Sequence, residues 1–461
     1  VKTNRLSGPF PVVLTKLVKL EYLNLSFNNF SGTIPAEIGN WEELKHLYLW
    51  KNQFSGSIPP SIGKLRNLTE LSLGENRLSG ELPKELGQLE NLVTAYLNNN
   101  AFTGQIPNEM TRASNLKYLN LNSNNLSGDL PDELGNWEAL ESLLLGSNKI
   151  TGTFPPSIGK MKRLKFLSVF WNKMSGTLPS ELGELENLEW LYLTNNRFSG
   201  TLPSSISNLK RLKILAIPNN TFSSFPEELG DLESLEELNA SSAFSGGRIP
   251  ENIGNLRNLK LMLLCNNKLS GEIPAGIGEM MMLEKLDLRH NELTGAIPAE
   301  IGYLDNLTML DMSGNKLSGT IPAEIGNMRK LNLLSLAYNK LQGEVPADLG
   351  WLSELEELNV ARNELEGILP AEWGELKNLK RLTLTGNKFR GSIPKAWEGM
   401  KKLEYFWGQD NALTGKVPDF LFRLPVLKRL CLENNFLQLT EEQKKLDRKG
   451  EQYFLLPQGE K

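Results

Sequence analysis

The stretch "LEKLDLRHNELTGAIPAEIGYL" (Leu283–Leu304) decides the fold. Leu286 and Leu288 alternate with polar residues, the pattern of a short strand with both leucines on one face. Asn291 follows, and Gly295, Ile297 and Pro298 then turn the chain onto a return path. One such segment cannot bury its apolar face alone, so its neighbours must complete the core.

Copies fill the chain. Asn recurs every 24 residues at positions 4, 28, 52, 76, 100, 124, 148, 172, 196 and 220. It resumes at 267 and continues through 291, 315, 339, 363, 387, 411 and 435. The unit reads LxxLxLxxNxLSGxIPxxIGxL, and eighteen of nineteen ladder positions hold Asn. A buried Asn can bond turn backbone groups that no neighbour satisfies. Stacked strands at ~4.8 Å per step make a parallel sheet on the order of 85 Å long.

This unit resembles the plant-type leucine-rich repeat, the module of plant receptor-kinase ectodomains and polygalacturonase-inhibiting proteins. The resemblance spans nearly the whole chain. It implies an α/β solenoid: a curved, right-handed superhelical leucine-rich repeat with a parallel concave β-sheet and about 19 repeats of 24 residues over 1–438. It also implies a non-enzymatic recognition module that holds a peptide, protein or glycan along the concave face. Plant peptide receptors of this kind clamp a ligand carboxylate with two concave arginines two residues apart. Here Arg289 has Asp287 in that place, so carboxylate capture is not expected.

One junction, 218–247, breaks the rule. "NTFSSFP" (Asn220–Pro226) is one residue short, and Pro218 stands where a strand N–H is expected. In "EELNASSAFSGGRIP" (Glu236–Pro250) the strand leucines put Ala243 at the ladder position, whereas the Phe-Ser-Gly triplet puts Ser242 there. Both placements stay open, as do a bend and a hinge. At the far end, "TEEQKKLDRKG" (Thr440–Gly450) carries a Thr-x-x-Gln capping box and a terminal Gly, which predicts a helical cap over 439–461. At the near end "VKTN" begins inside a strand, and its open edge predicts self-association or a partner there. That edge gives the alternative function, a structural subunit of a larger extracellular assembly.

A net charge of −4 excludes a nucleic-acid partner, and no apolar run approaches a membrane span. Two cysteines and two histidines supply neither a disulfide framework nor a metal or cofactor site. Asp287, His290 and Asp311 suggest an acid–base group, but no nucleophile accompanies them, so no catalytic residue is assigned. Cys265 and Cys431 lie seven strands, about 33 Å, apart, beyond disulfide reach. Free thiols favour a reducing, cytoplasmic compartment. The sequons at Asn24, Asn29, Asn67, Asn125, Asn219, Asn239 and Asn306, candidate glycosylation sites, favour an extracellular or cell-surface location.

The outward strand positions carry the ligand candidates. One column alternates in sign: Lys117, Glu141, Lys165, Glu189, Lys213, Glu236, Lys260 and Glu284, a pattern that sets strand register and solubility. Tyr48, Trp50 and Tyr96 gather near the start. Phe170, Trp171, Trp190 and Tyr192 occupy two adjacent strands and are expected to form one aromatic area. Asp287, Arg289 and His290 make a polar patch further on.

Overall fold

The computed structural model describes residues 2–448 and 452–459. The chain divides into two compact units, Val1–Leu235 and Glu236–Lys461. In each, three-residue strands pair in parallel with the strand one repeat away. Unit one runs from Tyr22–Asn24 to Ile214–Ala216, in register His46 with Glu70, Leu47 with Leu71. Unit two runs from Glu237–Asn239 to Arg429–Cys431, with Tyr453–Phe454 added behind. The alternating leucines, such as Leu119 and Leu121, are buried in both units, as the Leu-x-Leu pattern requires.

The Asn ladder holds each unit together. Asn124 donates through Nδ2 to the carbonyls of Leu121 (3.1 Å) and Asn122 (3.3 Å), and across to Leu97 (3.1 Å). Its Oδ1 accepts from Phe102 N at 3.1 Å. The residue before each ladder Asn is left-handed, for example Ser123 with φ 56° and Trp171 with φ 53°. That turn aims the carbonyls inward, where only a carboxamide can meet both donors and acceptors.

The return path differs from a simple helix. In most repeats the Pro of the Ile-Pro or Leu-Pro pair sits in extended backbone and starts a five-residue 3-10 turn, as in Ala36–Asn40, closed by Ile38 N to Pro35 O at 3.2 Å. The turn glycine lets repeats approach: a Cβ on Gly87 would stand 1.9 Å from Glu109 O. Between strand and turn, the Phe-Ser-Gly segment forms a second set of short parallel sheets, such as Asn29–Thr33 beside Gln53–Gly56. The only α-helix among the described residues is Glu441–Lys444. Thr440 accepts from Gln443 N at 3.2 Å, and Gln443 Oε1 accepts from Thr440 N at 3.0 Å, which closes the expected capping box. Gly450, the expected terminator, lies outside the described residues.

Two points at the irregular stretch are settled within their own units. In unit two, Ser242 carries the left-handed φ of 53°, so Ala243 takes the ladder position. Asn267 Oδ1 accepts from both Ala243 N and Phe244 N, each at 2.7 Å, where a regular ladder Asn takes one donor.

In unit one, the expectation that Pro218 removes a ladder bond is wrong. The residue two before the ladder gives nothing to the backbone ladder: Leu25 N and Phe27 N donate across, but Ser26 N goes to Asn24 Oδ1 at 3.0 Å. Asn122 N does the same with Asn120 Oδ1. Pro218 occupies this position, and its carbonyl still accepts from Asn195 N at 2.9 Å. Pro218→Ala should therefore leave stability unchanged or lower it by about 0.4–1 kcal/mol through unfolded-chain entropy. A gain in the urea midpoint would show that the ring does cost a bond.

Candidate functional site

The sign-alternating column forms ion pairs, in which Lys165, Lys213 and Lys260 lean back onto the Glu of the strand before. Lys165 meets Glu141 at 2.9 Å, Lys213 meets Glu189 at 2.7 Å and Lys260 meets Glu236 at 2.7 Å. The hydrogen bond from Lys165 holds the Glu141 carboxyl below its ordinary pKa. These exposed pairs set register and contribute little else.

The aromatic residues divide differently from the expectation. Trp190 and Tyr192 pack on Phe166, with ring centroids 5.8 and 5.4 Å apart, and Lys213 lies 5.3 Å over Trp190. Phe170 turns the other way. Its ring fills the space above Gly146, where an added Cβ would stand 2.4 Å from a ring carbon. Trp171 projects outward, 63% exposed. The single four-ring area is thus corrected to a three-ring group, Phe166, Trp190 and Tyr192, with Trp171 standing free of it. Near the start, Tyr22, His46 and Tyr48 form a second group, with centroids 5.5 to 6.1 Å apart. Tyr48 donates its hydroxyl to Glu70, and Trp50 meets Tyr96 edge-on at 6.0 Å. Burial and the Glu70 carboxylate push the Tyr48 phenol well up.

The polar patch is self-paired. Arg289 meets Asp287 at 3.3 Å and Asp311 at 3.8 Å. Asp287 is 4% exposed, and burial raises its carboxyl above the usual range. His290 is left-handed and exposed, and its Nδ1 lies over Gly314. With both carboxylates on one guanidinium, this patch has no cation to spare for an anionic ligand. Among the described residues no group of three or more His, Cys, Asp or Glu could hold a metal.

Comparison with known proteins fixes the family. A profile described as "Leucine-rich repeat region" matches residues 170–260 and 244–444, and related repeat profiles match 111–174 and 19–41, 43–65 and 67–89. The chain belongs to the leucine-rich repeat family. No curated protein sequence matches it. Among solved structures, this leucine-rich repeat chain is similar to the Arabidopsis receptor kinase HAESA, solved with the peptide hormone IDA and the co-receptor SERK1. Identity is 35% and the TM-score 0.89, over 98% of this chain and 76% of that one. The plant peptide hormone receptor RGFR1, solved with RGF2, is 31% identical with TM-score 0.65, over 99% and 89%. A leucine-rich repeat protein of Leptospira interrogans is 30% identical with TM-score 0.64, over 96% and 97%.

On the leucine-rich repeat frame, some site residues were missed by the sequence reading. Tyr22, His46, Glu70 and Phe166 all lie one residue after the charged column, a position whose mixture of types hides the rings in it. Their signal was that same spacing of 24. Both cysteines are free and buried, as the strand separation requires. Of the sequon residues, Asn29, Asn67 and Asn219 are exposed. Asn67 and Asn306 already donate Nδ2 to the carbonyls of Glu42 and Met281. Asn24 bonds Tyr22 and Ser26, and Asn239 accepts from Ser241 N.

Proposed function

We propose that the chain is a non-enzymatic, extracellular recognition module that binds an extended peptide on the exposed face of its main sheet. One observation carries the reading: unit one presents an exposed Trp171 and, separately, the ring group of Phe166, Trp190 and Tyr192. Aromatic anchors on an open sheet gain binding energy when a partner covers them. The solved complexes of HAESA and RGFR1 with peptide hormones support the peptide class over a glycan. The extracellular location follows the same resemblance to receptor ectodomains. No helix among the described residues is long and apolar enough to cross a membrane.

The test is a peptide-library screen against the purified chain, followed by the paired change Trp171→Ala with Tyr192→Ala. Affinity for a recovered peptide should fall at least tenfold, about 1.4 kcal/mol, while the Tm hardly moves. Unchanged affinity with a lowered Tm would assign the rings to packing. Light scattering of the same sample reads the alternative, because assembly through the N-terminal edge gives concentration-dependent growth.

A further inference from the structure

Along the charged column, Glu21, Glu141, Glu189, Glu236 and Glu404 each hold a Lys from the next strand. One residue further on, unit two repeats the arrangement. Glu357 accepts from Arg381 Nε at 2.7 Å, and Arg381 is its register partner on the next strand. In unit one Glu70 holds the position of Glu357, but its register partner is Thr94. The charged column beside it is interrupted as well, by Thr69 and Val93. Among the described residues Glu70 forms no ion pair with a Lys or Arg.

Its surroundings are aromatic instead. Tyr48 donates its hydroxyl to Glu70 Oε2. On the same side the Tyr22, His46 and Tyr48 rings cluster, and His46 Nδ1 lies 3.7 Å from Glu70 Oε1, beyond hydrogen-bond reach. On the other side the field of Glu70 reaches Tyr96, whose phenol is pushed up by burial, by Tyr118 and by Glu70. Tyr22 and Tyr118 are exposed, and so is 41% of the Glu70 side chain. Glu70 Oε1 accepts from no group among the described residues. Glu237 and Glu433 also form no ion pair, but burial raises both carboxyls and weakens their negative charge.

We infer that Glu70 receives a primary ammonium group of the bound peptide, from a Lys side chain or from its N-terminus. The sheet supplies a cation to Glu357 and withholds one from Glu70, so the ligand completes the pair. Aromatic rings around a carboxylate add their own attraction for a cation. Because Tyr48 holds Oε2, one oxygen stays open. An ammonium is a compact point charge and needs only one, whereas a guanidinium fork is built for two. The inference rests on the peptide-binding reading and deepens it, since it gives the ligand a positive charge opposite the strands from Tyr22–Asn24 to Thr94–Tyr96.

The test uses the two histidine rings of the full chain, one in each unit. The His46 Cε1–H resonance, identified by its loss in His46→Gln, reports on the site, and His290 is the reference that should not move. Nα-acetyl-lysine methylamide stands for a side-chain ammonium, glycine methylamide for an N-terminus, and Nα-acetyl-norleucine methylamide keeps the alkyl chain without the charge. We expect a saturable His46 shift with at least one of the first two, and the tighter of them names the source. The norleucine probe should bind at least tenfold more weakly. Glu70→Gln keeps an acceptor for Tyr48 and should weaken the ammonium probes at least tenfold. Thr94→Arg supplies within the chain the cation that Arg381 gives Glu357, and should do the same. In both variants the Trp137 indole N–H resonance should stay in place as a check on folding. No saturable shift with either ammonium probe, equal shifts with all three, or a shift that survives either variant overturns the site. A library peptide that binds Glu70→Gln at parental affinity also overturns it and leaves peptide recognition standing. A library that yields no peptide, with Nα-acetyl-lysine methylamide still moving His46, sinks the peptide reading instead.

Discussion

Trp397→Ala should destabilise unit two by about 3–5 kcal/mol in urea unfolding followed by circular dichroism. The ring is 1% exposed and stacks on Trp373, with centroids 6.1 Å apart and planes 10° from parallel. It also meets Phe406 edge-on at 5.8 Å. Its Nε1 donates to Pro370 O at 2.9 Å, so truncation leaves both a cavity and a buried carbonyl without its donor. Trp397→Phe separates the two effects, because it keeps most of the volume and removes only the hydrogen bond. It should cost about 1–2 kcal/mol. A loss below about 1.5 kcal/mol for the alanine variant would mean that the neighbouring repeats collapse into the space.

Asn196→Ala should cost unit one about 3 kcal/mol. Asn196 Nδ2 donates to the carbonyls of Val169 (2.9 Å), Leu193 (3.1 Å) and Thr194 (3.4 Å). Its Oδ1 accepts from Met174 N at 3.0 Å. Alanine strands several backbone groups in two adjacent repeats, and water cannot reach them. Asn196→Asp is the sharper probe, because it keeps the shape and the acceptor but turns the donor into a second acceptor facing carbonyls. It should be at least as damaging as alanine. The loss should be local, with amide protection falling over residues 169–198 and held in Glu236–Lys461, as a nearest-neighbour architecture requires. A uniform fall along the whole chain would contradict that picture.

The ladder was legible in the sequence because a single residue type does one job at one spacing. Asn124, Asn196 and Asn291 announce the same bonds wherever they recur. The strand leucines and the Thr440 capping box were readable for the same reason. The second set of sheets was less visible, since Phe-Ser-Gly reads as a turn until the preceding repeat lies beside it. Pro218 misled because proline rules concern ladder donors, and its position donates to no ladder. The site was legible only as a column of residues. Which way a ring leans depends on what the adjacent repeat leaves empty: Phe170 follows the hole at Gly146, and Phe166 joins Trp190 because both share the less regular column. Spacing alone carries no rotamer.

The carboxamide ladder also bears on how such a chain changes length. A regular ladder Asn such as Asn124 reaches its own turn and the repeat before it, at offsets of 2, 3, 22 and 27 residues, and it measures nothing from either end. A copied or deleted block of 24 residues restores all of these bonds at once. Any other size leaves a seam where a ladder residue must serve an altered spacing. Asn267 serves that role here, holding Ala243 N and Phe244 N on one oxygen. Repeat number can therefore drift by duplication while the interior chemistry stays constant, and the seam records the one step where the count slipped.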